Sequence, residues 1–510
     1  MLKPRHVAVL WVALSASLAA AGRAKAPPKI KIAKDTTFIT QPLKADGTPD
    51  YLGAINRQFG AGATGANNAA IPLLRALGPG RLPAETGKQI LKRLGLTLPA
   101  NGDYLRFPPE DTAAGKHLRS GWRRPWASKQ HPEFVKWLRA YDKPLALIVA
   151  ASKRSRYYLP AVAGKRQPAL LGMEIPNYLP LRQAIRALRV RAALAAGEGR
   201  ADNAVADLKA AYRLGALVGQ DYTLVGRLVS TGIMGESMEA MAALAVVEKL
   251  SAKQALALID VLRAGAPPSP APALQTERYA TLDMAIWFAR KPSVARLVSL
   301  ARSITEAQQG TIAKGPLPAG RPEDTLFRQA DYSEVLRRAN AVFDATVAAA
   351  HPATFADRLK TAGALSPVIG AIRAGAAKEP DLQANKATAT KWVSDNLLAA
   401  LLPNLGRAVV IMDKAQVRRS VTAVALALAT YRAETGSYPA DLKVLAPKYL
   451  KRVPIDWCSG KPLIYKRTAK GFLLYSVGEN MRDDGGRDRS DNKAEDDDYD
   501  DIVVKAPPGD

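Results

Sequence analysis

Residues 407–439 read RAVVIMDKAQVRRSVTAVALALATYRAETGSYP, and they set the architecture of the C-terminal part of the chain. Arg407 to Ala433 is rich in Ala, Val and Leu and free of Pro and Gly, so it reads as one long helix. Gly436 stops it and Tyr438-Pro439 turns the chain. Asp441 to Ala446 reads as a short second helix. Two strand-like runs follow, Leu463-Ile464-Tyr465 and Phe472-Leu473-Leu474-Tyr475, joined by a hairpin turn at Ala469-Lys470-Gly471. An acidic loop, residues 479–501, separates them from a last strand at Ile502-Val503-Val504. Residues 396–510 are therefore expected to form a small α+β domain.

Towards the N-terminus the pattern is helical almost throughout, and residues 51–395 are expected to form a large body of helical hairpins. Helical periodicity starts near Tyr51. Asn67 or Asn68 caps the apolar run Ala69 to Leu77, which Gly78-Pro79-Gly80 ends. Residues 97–131, rich in Gly, Pro and aromatic residues, read as an irregular connection. From His131 the pattern is firmly helical. Leu181, Ala184, Ile185 and Leu188 recur at helical spacing, with Arg182, Arg186 and Arg189 on the other side. Gly197-Glu198-Gly199 turns into a second helix running to about Leu217. The Pro-rich residues 265–273 mark a break in the body, and a further interruption falls near Gly315 to Arg321. Residues 27–50 lack helical periodicity and are expected to form an extended leader. The fold class is thus mainly α, with a large and possible repeat-like body before the small α+β region.

Residues 1–26 have the order of a secretory signal peptide. Lys3, Arg5 and His6 precede an uncharged apolar run, Val7 to Ala21, and small-residue cleavage sites follow at Ala19-Ala20-Ala21 and Ala24-Lys25-Ala26. The run is shorter than the roughly 20 residues that span a bilayer. The expected location is extracytoplasmic: periplasm, cell envelope or secreted. The lone cysteine, Cys458, leaves no intramolecular disulfide.

The net charge of +27 is unevenly placed. Residues 482–510 hold five Lys/Arg and eleven Asp/Glu, a net of −6, so the other 481 residues carry +33. Such a body favours anionic partners, and export directs the expectation to acidic polysaccharide, wall polymers or phospholipid headgroups instead of nucleic acid.

Two resemblances add to this reading. Residues 185–217, with Gly199, Ala204, Leu208, Ala211 and Leu214 at small-and-large spacing, resemble a tetratricopeptide-type helical hairpin. The C-terminal region resembles the globular head of the major (G-type) pseudopilin of type II secretion. Tyr431, Gly436, Tyr438 and Pro439 match a helix end reading Y-x(4)-G-x-Y-P. Pro454, Asp456, Trp457 and Gly460 match its P-x-D-x-W-G turn, with altered spacing at Trp457. Tyr475-Ser476-Val477-Gly478 matches Y-S-x-G, and Asp501-Ile502 matches the D-I that ends the loop. The leader and Glu-bearing first helix of pilins are replaced here by a secretory-type N-terminus about 400 residues upstream.

The pseudopilin resemblance implies that the acidic loop binds calcium. Ser476 would offer its carbonyl and Asp501 its carboxylate, with Asp483, Asp484, Asp488, Asp491 and Asp498 supplying further oxygens. Such a set suits an ion that takes six to eight oxygen ligands, and Gly485-Gly486 lets the backbone bend round it. The loop is not an EF-hand, because Arg482 occupies the third position of the nearest register.

Catalytic signatures are absent from the sequence. There is no H-E-x-x-H, C-x-x-C or G-x-S-x-G, and the histidines number four. Paired carboxylates leave no local signature, which keeps Glu174, Glu236, Glu239, Glu277 and Asp283 as candidates. Trp122, Arg123, Arg124 and Trp126, with Lys153, Arg154, Arg156, Tyr157 and Tyr158, form a basic-aromatic cluster of the type that suits sugar binding. The expected function is an exported, non-catalytic binding or structural protein of the cell envelope that engages an envelope protein or anionic polymer. The alternatives are a component of a type II secretion or pilus-like machine, and a polysaccharide hydrolase using paired carboxylates.

Overall fold

The computed structural model describes residues 30–165, 168–170, 172–247, 250–299, 321–350, 355–401, 405–492 and 498–507. The signal-peptide segment and the interruption read at 315–320 lie outside them.

The helices run in order α1 (Tyr51–Gly60), α2 (Ala70–Leu77), α3 (Gly87–Arg93), α4 (Ala113–Ser120), α5 (Pro132–Ala140), α6 (Asp142–Ala151), α7 (Leu179–Gly197), α8 (Ala201–Val218), α9 (Leu224–Val246), α10 (Ala252–Ala264), α11 (Ala271–Ala289), α12 (Asp324–Gln329), α13 (Tyr332–Ala349), α14 (Phe355–Ala376), α15 (Lys386–Leu401) and α16 (Leu405–Thr435). The strands β1 (Ile464–Arg467), β2 (Phe472–Ser476) and β3 (Ile502–Ala506) form an antiparallel sheet in the order β1-β2-β3. The protein is mainly helical with a small C-terminal sheet. Among the described residues no helix is long and apolar enough to cross a membrane.

Polar side chains cap the starts of several helices. Asp50 accepts from Gly53 N, Thr112 from Gly115 N and Thr223 from Gly226 N. Ser251 and Gln254 form a reciprocal capping box at the start of α10. At the other end of the motif-bearing helix, Gly436 takes φ +81°, a left-handed conformation that costs glycine nothing.

Three apolar cores hold these elements. The first lies among α2, α5, α6 and α7. The second joins α1, α11, α13 and α15. The third is formed by α8, α9 and α10 together with α16 and the sheet. In α16, Val421 to Leu428 is buried at every position but Ala423, because the body covers one side and the sheet region the other. The apolar core is therefore continuous from body to sheet. The boundary drawn at 395/396 falls inside α15.

Several local expectations change. Residues 30–50 are not an extended leader: they fold back in turns, with Thr36 and Thr37 fully buried. Tyr51 Oη donates to Thr37 O at 2.8 Å, and Asn340 Nδ2 donates to Asp35 O and Thr36 O. Residues 97–131 contain α4, whose His117 and Leu118 pack inward. Short polar caps outweighed the local Gly and Pro content there. The Asp441–Ala446 segment is a 3-10 turn, Leu442–Leu445, and not an α-helix. The Pro-rich break narrows to the link between α10 and α11, where Tyr212 Oη donates to Gly265 O and Arg227 Nη1 to Ser269 O.

Candidate metal centre

The sheet region is tied together by two buried carboxylates, Asp456 of the turn motif and Asp500 of the acidic loop. Asp456, 1% exposed, accepts from Cys458 N at 3.0 Å, Ser459 Oγ at 2.9 Å, Ser476 Oγ at 2.6 Å and Val477 N at 3.2 Å. It thereby fastens the turn before β1 to the end of β2. Asp500 accepts from Glu479 N at 3.0 Å and Asn480 N at 3.3 Å, and lies 3.4 Å from Lys414 Nζ on α16. Gly478 sits between them at φ +69°, and a Cβ there would overlap Asp500. Both the backbone conformation and the close approach require glycine. In the sequence Asp456 sits in a turn motif and Asp500 is one of the many acids of the loop 479–501; neither signal reveals a hub.

Inside the loop the expected ligands separate into two groups. Asp483, Asp484 and Asp501 form the first. Asp483 accepts from Tyr475 Oη at 2.8 Å and Gly485 N at 2.9 Å, bonds that hold its carboxyl below the ordinary range. Asp484, 7% exposed, accepts from Asn480 Nδ2 at 2.9 Å and Asp500 N at 3.2 Å. Asp501, 3% exposed, accepts from Gly486 N at 2.8 Å through Oδ2, while its Oδ1 is buried with no partner among the described residues. Burial, with repulsion from the Asp484 and Asp483 carboxylates adding to it, pushes the Asp501 carboxyl up to about 6 against the pull of the Gly486 and Asp484 backbone amides.

The other expected ligands are engaged elsewhere. Asp488 caps the turn at Arg489–Asp491 by accepting from Ser490 N and Oγ, and Asp491 accepts from Asp488 N at 2.9 Å. Asp498 is exposed and pairs with Arg482 at 3.5 Å. Ser476 is fully buried, its hydroxyl given to Asp456 and its backbone opposite Ile502 in the sheet. Among the described residues no three acidic, His or Cys side chains converge as a complete metal cage. The fit to calcium therefore rests on Asp501, whose orphaned oxygen faces a local excess of negative charge, with Asp484 beside it. A divalent cation would supply the missing partner, and carbonyls and water would complete its shell. Residues 493–497 lie outside the described part of the loop.

The carboxylates considered for hydrolysis do not form a free pair. Glu236 accepts from Arg182 at 2.9 Å, Arg186 at 3.2 Å and Arg189, and the Arg189 side chain is 2% exposed beneath the Trp122 ring. These arginines, on the side of α7 away from Leu181, Ala184, Ile185 and Leu188, clamp α7 to α9. Glu239 pairs with Arg418 of α16, and Asp283 with Lys44 at 3.1 Å while also accepting from Leu170 N. Glu174 accepts from Thr86. Glu277 stands apart, its carboxyl pushed up to about 7 by burial.

In the basic-aromatic cluster Trp126, Arg156 and Tyr157 are structural in their contacts, while Arg123, Arg124 and Lys153 are exposed. Trp126 is buried and donates to Val190 O, Tyr157 is buried, and Arg156 donates to Phe59 O and Ala61 O. His117 stacks on His131 with ring centres 3.6 Å apart, and burial, with His131 beside it, holds it down at about 4. His351 lies outside the described residues. No family model matches the chain, and no curated protein or solved structure is found to be similar to it.

Proposed function

We propose that the chain is an exported, non-catalytic binding or structural protein of the cell envelope, with a basic helical body that engages a protein or anionic polymer and a C-terminal region stabilised by calcium. The observation that carries the calcium part is the unpaired, buried Oδ1 of Asp501 next to Asp484. A carboxylate buried among like charges is costly in the metal-free protein, and a bound divalent ion reverses the sign of the local field. The +33 carried outside residues 482–510 supports an anionic partner, and the secretory order of residues 1–26 supports an extracytoplasmic location where calcium is available. The ion-paired state of Glu236, Glu239 and Asp283 favours binding over hydrolysis.

Isothermal titration of the full mature chain with calcium chloride tests this reading. Expected is a saturable heat that is lost in Asp501→Asn and retained in Asp491→Asn, whose carboxylate serves its own turn. Absence of any calcium heat in the wild-type chain would remove the metal from the proposal.

A further inference from the structure

A cleft lies on the side of α16 away from the acidic loop. Gln416, Arg419, Ser420 and Ala423 recur at helical spacing and line it, whereas Lys414, Arg418 and Val421 line a different cleft that reaches Asp501. The first cleft has a volume of about 590 Å³, within the range of ligand sites, between α10, α16 and the segment from Leu450 to Trp457. An adjoining recess of about 460 Å³ shares Arg263 and Lys451 with it, so the two form one groove.

The charge along this groove is one-sided. Arg263, Arg419, Lys451 and Arg452 line the larger cleft, and no carboxylate does so among the described residues. Asp260, in the recess, is already bonded to Arg263 at 2.9 Å. Arg419 donates Nη1 to Leu262 O, a neutral acceptor, at 3.2 Å. Lys451 and Arg452 are exposed. These cations come from three separate elements and are strung along the groove, an arrangement matched by repeated charges on a chain and not by one compact anion. Ile259 and Leu262 contribute apolar lining, and Ile455 stands 60% exposed at the loop. Trp457 lines the cleft too, and its buried indole N–H has no acceptor among the described residues.

We propose that this groove binds an anionic polysaccharide, with its acid groups on Arg419, Lys451 and Arg452 and the apolar face of a sugar ring against Trp457 and Ile455. Aromatic and aliphatic surface receives the C–H face of a sugar, while guanidinium groups recognise carboxylate or sulfate in a planar fork. This rests on the binding reading above and gives it a location and a ligand class.

The test measures binding of the full mature chain to polygalacturonate, a carboxylate polysaccharide, in about 0.15 M salt. The variant Arg419→Gln/Lys451→Gln/Arg452→Gln is compared with the charge-matched Arg57→Gln/Lys88→Gln/Lys92→Gln, whose residues are exposed elsewhere. Three exposed ion pairs together are worth about tenfold in affinity. The groove variant is expected to bind about tenfold more weakly, the matched variant within about twofold of wild type, and Trp457→Phe to weaken binding with its melting temperature kept. Equal losses in both triple variants would overturn the groove while leaving a basic binding body intact. Preference for poly-L-glutamate, or for vesicles of anionic phospholipid, over polygalacturonate would overturn the polysaccharide. Failure of the wild type to bind any of these polyanions at low salt would sink the anionic-polymer reading itself.

Discussion

Changing Asp501 to Asn should remove both a liability and the proposed calcium site. In the metal-free protein the Asp501 carboxyl is raised from an ordinary 3.8 to about 6. A group raised on folding contributes its stability fully below the unfolded value, and that contribution is lost as pH climbs through the folded value. The window is therefore pH 4 to 7. Two units correspond to about 3 kcal/mol, which falls to roughly 1–2 kcal/mol once solvent screening at the loop's outer side is allowed for. A chain of this length unfolding as one unit loses about 1 kcal/mol per degree near its melting point. With chelator, the wild type should thus lose about 1–2 °C relative to Asp501→Asn between pH 4.5 and pH 8. Calcium at 100 times its dissociation constant adds about 2.7 kcal/mol, so at pH 8 it should raise the wild-type melting temperature by about 3 °C. The variant should not respond, and the wild-type response should shrink at pH 4.5, where protons compete for the same oxygen. Scanning calorimetry at the two pH values, with calcium and with chelator, reads all of this. A variant that melts lower than wild type in chelator at pH 8 would show that the carboxylate is well partnered without metal, and the reasoning would fail.

Three further outcomes follow from the geometry. Glu236→Gln leaves the buried Arg189 guanidinium and two neighbouring arginines without their shared carboxylate, and should cost about 3–5 kcal/mol in urea unfolding. Gly478→Ala combines a left-handed backbone with overlap of Asp500 and should cost about 2 kcal/mol or more; Gly436→Ala, with the same handedness in open space, should cost about 1 kcal/mol. Glu277 is raised to about 7, so its stabilising contribution fades as pH rises through 7, and Glu277→Gln should gain about 2 kcal/mol over wild type on going from pH 5 to pH 8.5. Equal pH profiles for the two proteins would refute that assignment.

The helices were legible because their caps and their periodicity are local. Gly199 and Gly436 mark the ends of α7 and α16, and the pair Leu179–Gly197 and Ala201–Val218 follows the apolar spacing of Leu181, Ala184, Ile185 and Leu188. The strands were found by their β-branched and aromatic runs. What the sequence hid was long-range. Arg189 reads only as a residue on the non-apolar side of its helix until Glu236, on another helix, is placed beside it. Residues 30–50 have no periodicity, yet Asn340 gives them a hydrogen-bonded seat. In the loop, residues 479–501, composition names eleven acids, but only the fold distinguishes Asp501, one of whose two oxygens has no partner among the described residues, from Asp488, which caps a turn. The cation-lined groove combines residues from 259 to 457, a separation that no sequence window spans.

The 31-residue helix α16 is about 46 Å long, and from Val421 to Leu428 it is buried at every position but Ala423. It acts as a common axle: whatever steadies the sheet at one side of it steadies the α9 and α10 helices at the other. Excising the C-terminal region would bare the apolar stripe Val417, Val421, Val424 and Leu428 on the fragment and a matching trough on the remainder, and both pieces would aggregate. Ion occupancy at a surface loop would then set how firmly the groove on the far side of the axle is held. If both proposed ligands bind, polymer binding and metal loading would be linked in free energy although the two proposed sites share no residue.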